Sequence, residues 1–205
     1  FEGVIEEMRR DPQLGNFSGK VYLRLPSGRE IFERTGDENA IGQAKFYRVE
    51  CFEEIGGFVR EVCWDGIDGH MCRLKGWVAR SEDRPELRII HRRLMGSSEV
   101  GVWRGRKRWG YGKYYMGSSL SYVLAVSAYR MAERPFVIGG LGILWGYLGA
   151  MLSGKGRFDE PGFRAHLRAY ERRSLLTGKR ATSAWHHEKI RGRAGATGGE
   201  RHAGG

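Results

Sequence analysis

Hydrophobic positions fall into two regimes along the chain. In the first half they form short runs that switch between helix and strand spacing. Phe1, Val4, Ile5 and Met8 sit at helical spacing in FEGVIEEMRR, so residues 1–10 predict a helix that Asp11-Pro12 stops. KVYLRL over 20–25 alternates and predicts a strand, Pro26-Ser27-Gly28 a turn, and REIFER over 29–34 the returning strand. IGQAKFYR over 41–48 reads as a short buried strand leading into a helix over 49–55, with Val49, Phe52 and Ile55 on one face and Gly56-Gly57 ending it. Residues 58–63 fit either a loop or a strand. A helix is expected over 65–75, closed by Gly76, and short strands over 77–79 and 87–90.

The second regime has longer apolar stretches. VGVWRGRKRWGYGK, beginning near residue 99, reads as a glycine-, arginine- and tryptophan-rich connector. A helix is expected over 118–133, broken by Pro135, and a second, apolar helix follows to about residue 153. Asp159-Glu160-Pro161 resembles the start of a third helix over 162–176, with Phe163, Leu167, Tyr170 and Leu175 set among arginines. From Thr177 the chain turns polar, glycine-rich and basic, and reads as a disordered tail. No internal repeat is visible. The expected class is α/β, an α+β piece over 1–98 followed by a connector over 99–116, a helical region over 117–176 and the tail over 177–205.

Composition excludes several classes. Of 205 residues, 40% are hydrophobic and 12% aromatic, enough for a packed core. Glycine plus proline is 32 + 5 = 37, too few for a low-complexity chain. Three cysteines, Cys51, Cys63 and Cys72, with no CxxC pair, argue against a disulfide scaffold or a structural zinc site and for a reducing compartment. A chain opening at Phe1 without a signal peptide reads as a piece whose start lies upstream.

The net charge of +11 is uneven. Residues 1–98 hold 16 Lys/Arg against 17 Asp/Glu, and residues 99–205 hold 19 against 7, so the second half carries the whole excess. That asymmetry points to a polyanionic partner, nucleic acid or an anionic membrane face. The cations flank two uncharged stretches, 114–129 and 135–154, which favours a membrane surface over a nucleic acid. Both stretches are marginal as spanning helices; a helical pair dipping into one leaflet is the preferred expectation, beside two spanning helices or buried helices of a larger core. Arg104, Arg106, Lys107, Arg108 and Lys113 would then lie at the cytoplasmic face of the cell membrane, with Trp103, Trp109, Tyr111, Tyr114 and Tyr115 at headgroup level.

The chemistry concentrates between Gly42 and Ser98. In order stand G-Q-A-K-F-Y-R, E-C-F-E-E-I-G-G-F, W-D-G-I-D, R-L-K-G-W and I-I-H-R-R-L-M-G-S-S. Over roughly residues 12–98 this ordered set resembles the C-terminal part of the catalytic domain of inverting, family 2 glycosyltransferases of GT-A fold. The region through about residue 176 resembles the membrane-associated extension of one bacterial branch. The donor-binding half, with its D-x-D, would precede this chain.

The resemblance implies transfer of a sugar from a nucleotide-sugar donor to a hydroxyl of a sugar or lipid-linked acceptor, in bacterial surface-polysaccharide or glycolipid synthesis. A carboxylate removes the acceptor proton, and a divalent cation, Mn²⁺ or Mg²⁺, steadies the departing diphosphate. Asp65, eleven residues before Gly76, matches the base. Trp64 stands where the family has Glu, which passes the companion acidic role to Asp68. Gly56 and Gly57 would floor the acceptor pocket, Gln43 and Arg48 would line the donor side, and His91 would join the upstream D-x-D on the metal. Each residue also has a plain reading: Asp65 as a helix N-cap, Gly56-Gly57 as a C-cap, His91 as a structural histidine, Arg48 as a partner of Glu50 or Glu53, and Asp37-Glu38 as a solvated face. Two other functions compete, a basic nucleic-acid-binding module and a non-catalytic membrane scaffold.

Overall fold

The computed structural model describes residues 2–32, 39–92, 101–134 and 136–202, with the backbone alone over 194–202. It is an α/β protein. Helix α1 (Glu2–Arg10) leads into strand β1 (Leu14–Ser18), which runs through Gly19-Lys20 into β2 (Val21–Arg24). Strand β3 (Glu30–Phe32) returns antiparallel to β2 across the turn at Gly28, whose φ is 82°. After a short 3₁₀ turn over Gly42–Ala44 come β4 (Lys45–Tyr47), α2 (Val49–Glu54), α3 (Trp64–Lys75), β5 (Val78–Ser81) and β6 (Ile89–His91). The strands make two three-stranded sheets, ordered β4-β1-β5 and β3-β2-β6. In each the central strand has one antiparallel and one parallel neighbour. Because β1 continues into β2 and β5 precedes β6, Gly19 marks the bend between them; a Cβ there would stand 1.6 Å from the Leu87 carbonyl oxygen.

Strand β1 lies outside the sequence expectation. LGNFS is buried at every position, so it shows no alternation of apolar and polar residues. Leu14 and Phe17 join Val4, Val78 and Ile190 in one core cluster. Cys51, Ile55, Ile67, Cys72, Phe163 and Leu167 belong to a second, between α2, α3 and the later helices. Cys51 and Ile55 are the inward side chains of α2, whereas Val49 is exposed. Of the expected face, Ile55 is buried and Phe52 half-buried, and only Val49 gives up its place, to Cys51.

The later half is helical: α4 (Val102–Met116), α5 (Leu120–Met131), α6 (Ile138–Leu152), α7 (Phe163–Thr177) and α8 (Lys179–His202). Two expectations are corrected here. Most of the supposed connector is α4, a fifteen-residue helix. Its glycines serve close packing: a Cβ at Gly110 would lie 1.9 Å from the Ile143 carbonyl oxygen, and one at Gly146 of α6 would lie 2.0 Å from that of Lys107. The supposed disordered tail is α8, which buries Thr182, Ser183 and Ile190. Helix α7 starts at Gly162 with φ 77°, and no side chain caps it; Asp159 instead pairs with Arg164 at 2.8 Å. The Asp37-Glu38 pair, the end of the 29–34 strand, the Arg93 to Ser98 part of the last motif, and Pro135 lie outside the described residues.

Where α8 crosses α3 and α7, histidines gather. The His70 ring meets Tyr170 edge-on at 4.9 Å, and His166 lies 5.3 Å from His186. Burial holds His166, His186 and His187 down at about 4, and the nearby Arg73 guanidinium adds to the effect. These folded-state values lie below the ordinary 6.5, so the unfolded chain binds more protons between the two. Their contribution to stability is whole above about pH 6.5 and is lost as pH falls toward 4. Urea midpoints should drop across that window, and His166→Gln should flatten the slope; an unchanged slope in the variant contradicts this account. The glycine contact gives a second expectation. Gly110→Ala should cost about 1–3 kcal/mol in urea unfolding by forcing α4 off α6. Gly149→Ala, with nothing within 4 Å of the new Cβ, should be neutral or stabilise by up to about 1 kcal/mol.

Candidate functional site

The site begins at the end of α2. Gly56 and Gly57 adopt φ of 77° and 73°, which turns the chain back into the loop over 58–63. Cys63, at φ 65°, takes the cap position of α3, so Trp64 opens the helix and Asp65 sits within its first turn. Asp65 is thus not the N-cap; its Oδ1 accepts from the Gly66 N–H at 3.0 Å. A carboxylate in a first helical turn is favoured by the helix dipole.

A second element approaches from before β4. A Cβ on Gly42 would stand 3.0 Å from the Trp64 ring and 3.3 Å from the Asp65 Cβ, so the turn carrying Gln43 rests on the start of α3. A third comes from α4, whose Gly112 packs on Cys63; a Cβ there would lie 2.4 Å from Sγ. Between them opens a cleft of about 560 Å³ lined by Gln43, Arg60, Glu61, Trp64, Asp65 and Arg108, among others.

The charges of this cleft are unequally committed. Glu61 accepts from the Tyr111 hydroxyl at 3.0 Å and from the Val62 N–H at 2.8 Å. Asp65 enters no ion pair among the described residues. Arg60 and Arg108 bring two guanidinium groups to the same cavity. Burial pushes the Cys63 thiol up to about 11, against the opposing pull of Lys113, which leaves it a neutral thiol rather than a nucleophile.

Beneath the wall lies a buried ion pair. Lys45 Nζ donates to Asp68 Oδ1 at 2.7 Å and to the Asp65 carbonyl oxygen at 3.0 Å, and the Tyr47 hydroxyl donates to Asp68 Oδ2. The two charged side chains are 1% and 4% exposed. Burial pushes the Asp68 carboxyl up, and Lys45 and Tyr47 pull it back down. The Lys45 ammonium also lies 5.4 Å from the Trp64 ring centre. Phe58 packs edge-on against Trp64 at 5.2 Å and against Phe52 at 4.9 Å, and Tyr47 closes the aromatic cluster.

Of the residues expected at the site, the structure brings Gln43, Trp64 and Asp65 together on the cleft. Asp68 has both oxygens engaged below it. Gly56 and Gly57 shape the loop that feeds the cleft without lining it. Arg48 is elsewhere: its guanidinium donates to the carbonyls of Met8, Leu14 and Asp11, holding α1 against β1 rather than pairing with Glu50 or Glu53. His91 ends β6 opposite Leu23 and is not among the cleft's lining residues. No group of three or more His, Cys, Asp or Glu able to hold a metal forms among the described residues.

Set against family models, curated proteins and solved structures, the chain matches none. The cleft's chemistry consequently rests on its own residues. Arg60, Glu61 and Arg108 were not singled out as site residues from the sequence. Arg60 and Glu61 sit in the loop that fitted either a loop or a strand, and Arg108 in the stretch that read as a connector.

Lys45→Met should leave the Asp68 carboxylate buried without its partner and cost about 3–5 kcal/mol in urea unfolding. Adding Asp68→Leu should recover part of that loss. A single variant as stable as the parent protein would show that the pair does not hold β4 to α3.

Proposed function

We propose that this cleft is the acceptor side of an inverting glycosyltransferase, with Asp65 as general base. The observation that carries the reading is a carboxylate on the cleft wall, outside every ion pair among the described residues and sharing the cavity with two guanidinium groups. Asp65 takes the proton of an acceptor hydroxyl as its oxygen attacks the anomeric carbon of a nucleotide sugar. The bond from that carbon to the diphosphate breaks, and the configuration inverts. Negative charge develops on the departing diphosphate, and Arg60 and Arg108 are the cationic groups in reach of the cleft to meet it. Trp64, braced by Phe58 and Lys45, offers a ring face for the acceptor sugar to stack on.

The fold reading follows the same line. β4, α2, the Gly-Gly turn and α3 carry the motifs on which the resemblance rests, and we read them as the C-terminal part of a GT-A domain. Under this reading a divalent cation would be held by residues outside those described, and this chain supplies the base and the aromatic platform.

Asp65→Asn keeps the side chain's size and its contact with Gly66 while removing the base. In the full-length protein, sugar transfer should fall by about 10²–10⁴-fold. Binding of the nucleoside diphosphate, followed by calorimetry, should stay within about twofold, because a general base contributes to the transition state rather than to donor binding. Turnover retained at the parent level overturns the assignment of Asp65.

A further inference from the structure

We infer that α5 and α6 form a docking face for an anionic lipid surface, lying in one leaflet rather than crossing the membrane. This inference rests on the surface of those two helices and goes beyond the transferase reading.

Helix α6, IGGLGILWGYLGAML, has no charged residue. Gly139, Gly142, Ile143, Tyr147 and Ala150 are buried, and Gly142, Ile143 and Gly146 face α4. The opposite stripe is Ile138, Leu141, Trp145 and Leu152, at helical spacing, and all four are exposed, Trp145 at 67% and Leu152 at 83%. Helix α5 presents Leu120, Leu124 and Tyr129 outward. Ten of the twenty large exposed apolar side chains fall between 120 and 152, so the exposure is concentrated on α5, α6 and the turn between them rather than spread evenly along the chain. A helix apolar all round ordinarily belongs inside a core or a bilayer, and here one side of it has no protein cover among the described residues.

Length decides how it meets the bilayer. At about 1.5 Å per residue a fifteen-residue helix spans roughly 22 Å, short of the ~30 Å hydrocarbon core. No helix among the described residues is long and apolar enough to cross. Charge then decides the kind of surface. Arg130, ion-paired with Glu133, and Arg134 precede α6, and Lys155 and Arg157 follow it, while the stripe between carries no charge. Arg106 reaches the same end of the helix, 4.0 Å from where a Gly139 Cβ would stand. Cations at both ends of an uncharged apolar stripe match an anionic headgroup layer over acyl chains, with Trp145 and Tyr129 suited to the boundary.

The test uses the full chain and flotation with vesicles of phosphatidylcholine containing about 30% phosphatidylglycerol. The wild-type chain should float with these vesicles, and less with phosphatidylcholine alone. The exposed-stripe variant Leu141→Glu/Trp145→Glu/Leu152→Glu should lose vesicle affinity by on the order of a hundredfold or more, with its urea midpoint unchanged because none of the three side chains is buried. Three results overturn the inference: recovery of the wild type wholly apart from vesicles of both kinds, flotation of the variant like the wild type, or a lipid-independent wild-type dimer that the variant makes monomeric, which would assign the face to a second copy of this chain.

Discussion

One ammonium group holds the cleft wall in place. Lys45 reaches from β4 under the first turns of α3, where it bonds the Asp65 carbonyl and the Asp68 carboxylate and lies against the Trp64 ring. Two charges buried this deeply gain little net stability from each other, because desolvation offsets most of their attraction. What the pair does supply is a fixed position. The strand that follows Gln43 and the helix that begins with Trp64 and Asp65 are tied at one point, so the groups on the two walls keep a constant separation. Tyr47, from the same strand, takes the second oxygen of Asp68 and leaves that carboxylate no free direction. The division of labour between two aspartates three residues apart follows: one is locked beneath the wall and the other stands on it.

The third wall depends on missing side chains. Helix α4 reaches Cys63 only because residue 112 is glycine, and it lies against α6 only because residues 110 and 146 are. Arg108 sits on the same helix, so the close packing of α4 is what carries a guanidinium to a cleft otherwise built from residues 42–65. Glycine in a helix interior costs about 1 kcal/mol each relative to alanine. That cost is repaid by backbone-to-backbone proximity that no larger residue permits.

This explains which parts of the molecule the sequence made legible. The hairpin from Val21 to Phe32, α3 with its glycine stop, α5 and α6 all announce themselves through periodicity and punctuation that the fold respects. β1 does not, because a strand covered on both faces has no alternation, and Gly15, Asn16 and Ser18 dilute its apolar signal. α4 and α8 do not, because glycine and polar residues lower intrinsic helix preference, and it is packing on α6 and on α7 and β1 that holds them. The site divides in the same way. Gln43, Trp64 and Asp65 come from a motif-bearing stretch and meet on the cleft. Arg60, Glu61 and Arg108 converge on it from a loop and a distant helix, an arrangement that only the tertiary fold produces. Arg48 misled for a related reason: a guanidinium beside two glutamates in sequence is instead drawn to three backbone carbonyls.

The excess positive charge of the second half is also arranged rather than merely accumulated. Arg106 and Arg130 lie over Trp109, Lys107 over Trp103, Lys113 over Tyr122, and Arg157 over Tyr114. A groove for single-stranded nucleic acid keeps aromatic faces open so that bases can stack on them. Here the protein's own cations already lie over one face of those rings. Paired in this way, a cation keeps its charge for a diffuse anionic surface while its aromatic partner shields the apolar stem. The outward stripe of α6, on the side away from α4, holds no cation of its own. Headgroup and acyl layers differ in polarity over a few ångströms, and the lipid-docking face proposed for α5 and α6 would draw on that gradient, with cations flanking an uncharged stripe, rather than on the uniform charge of a phosphate backbone.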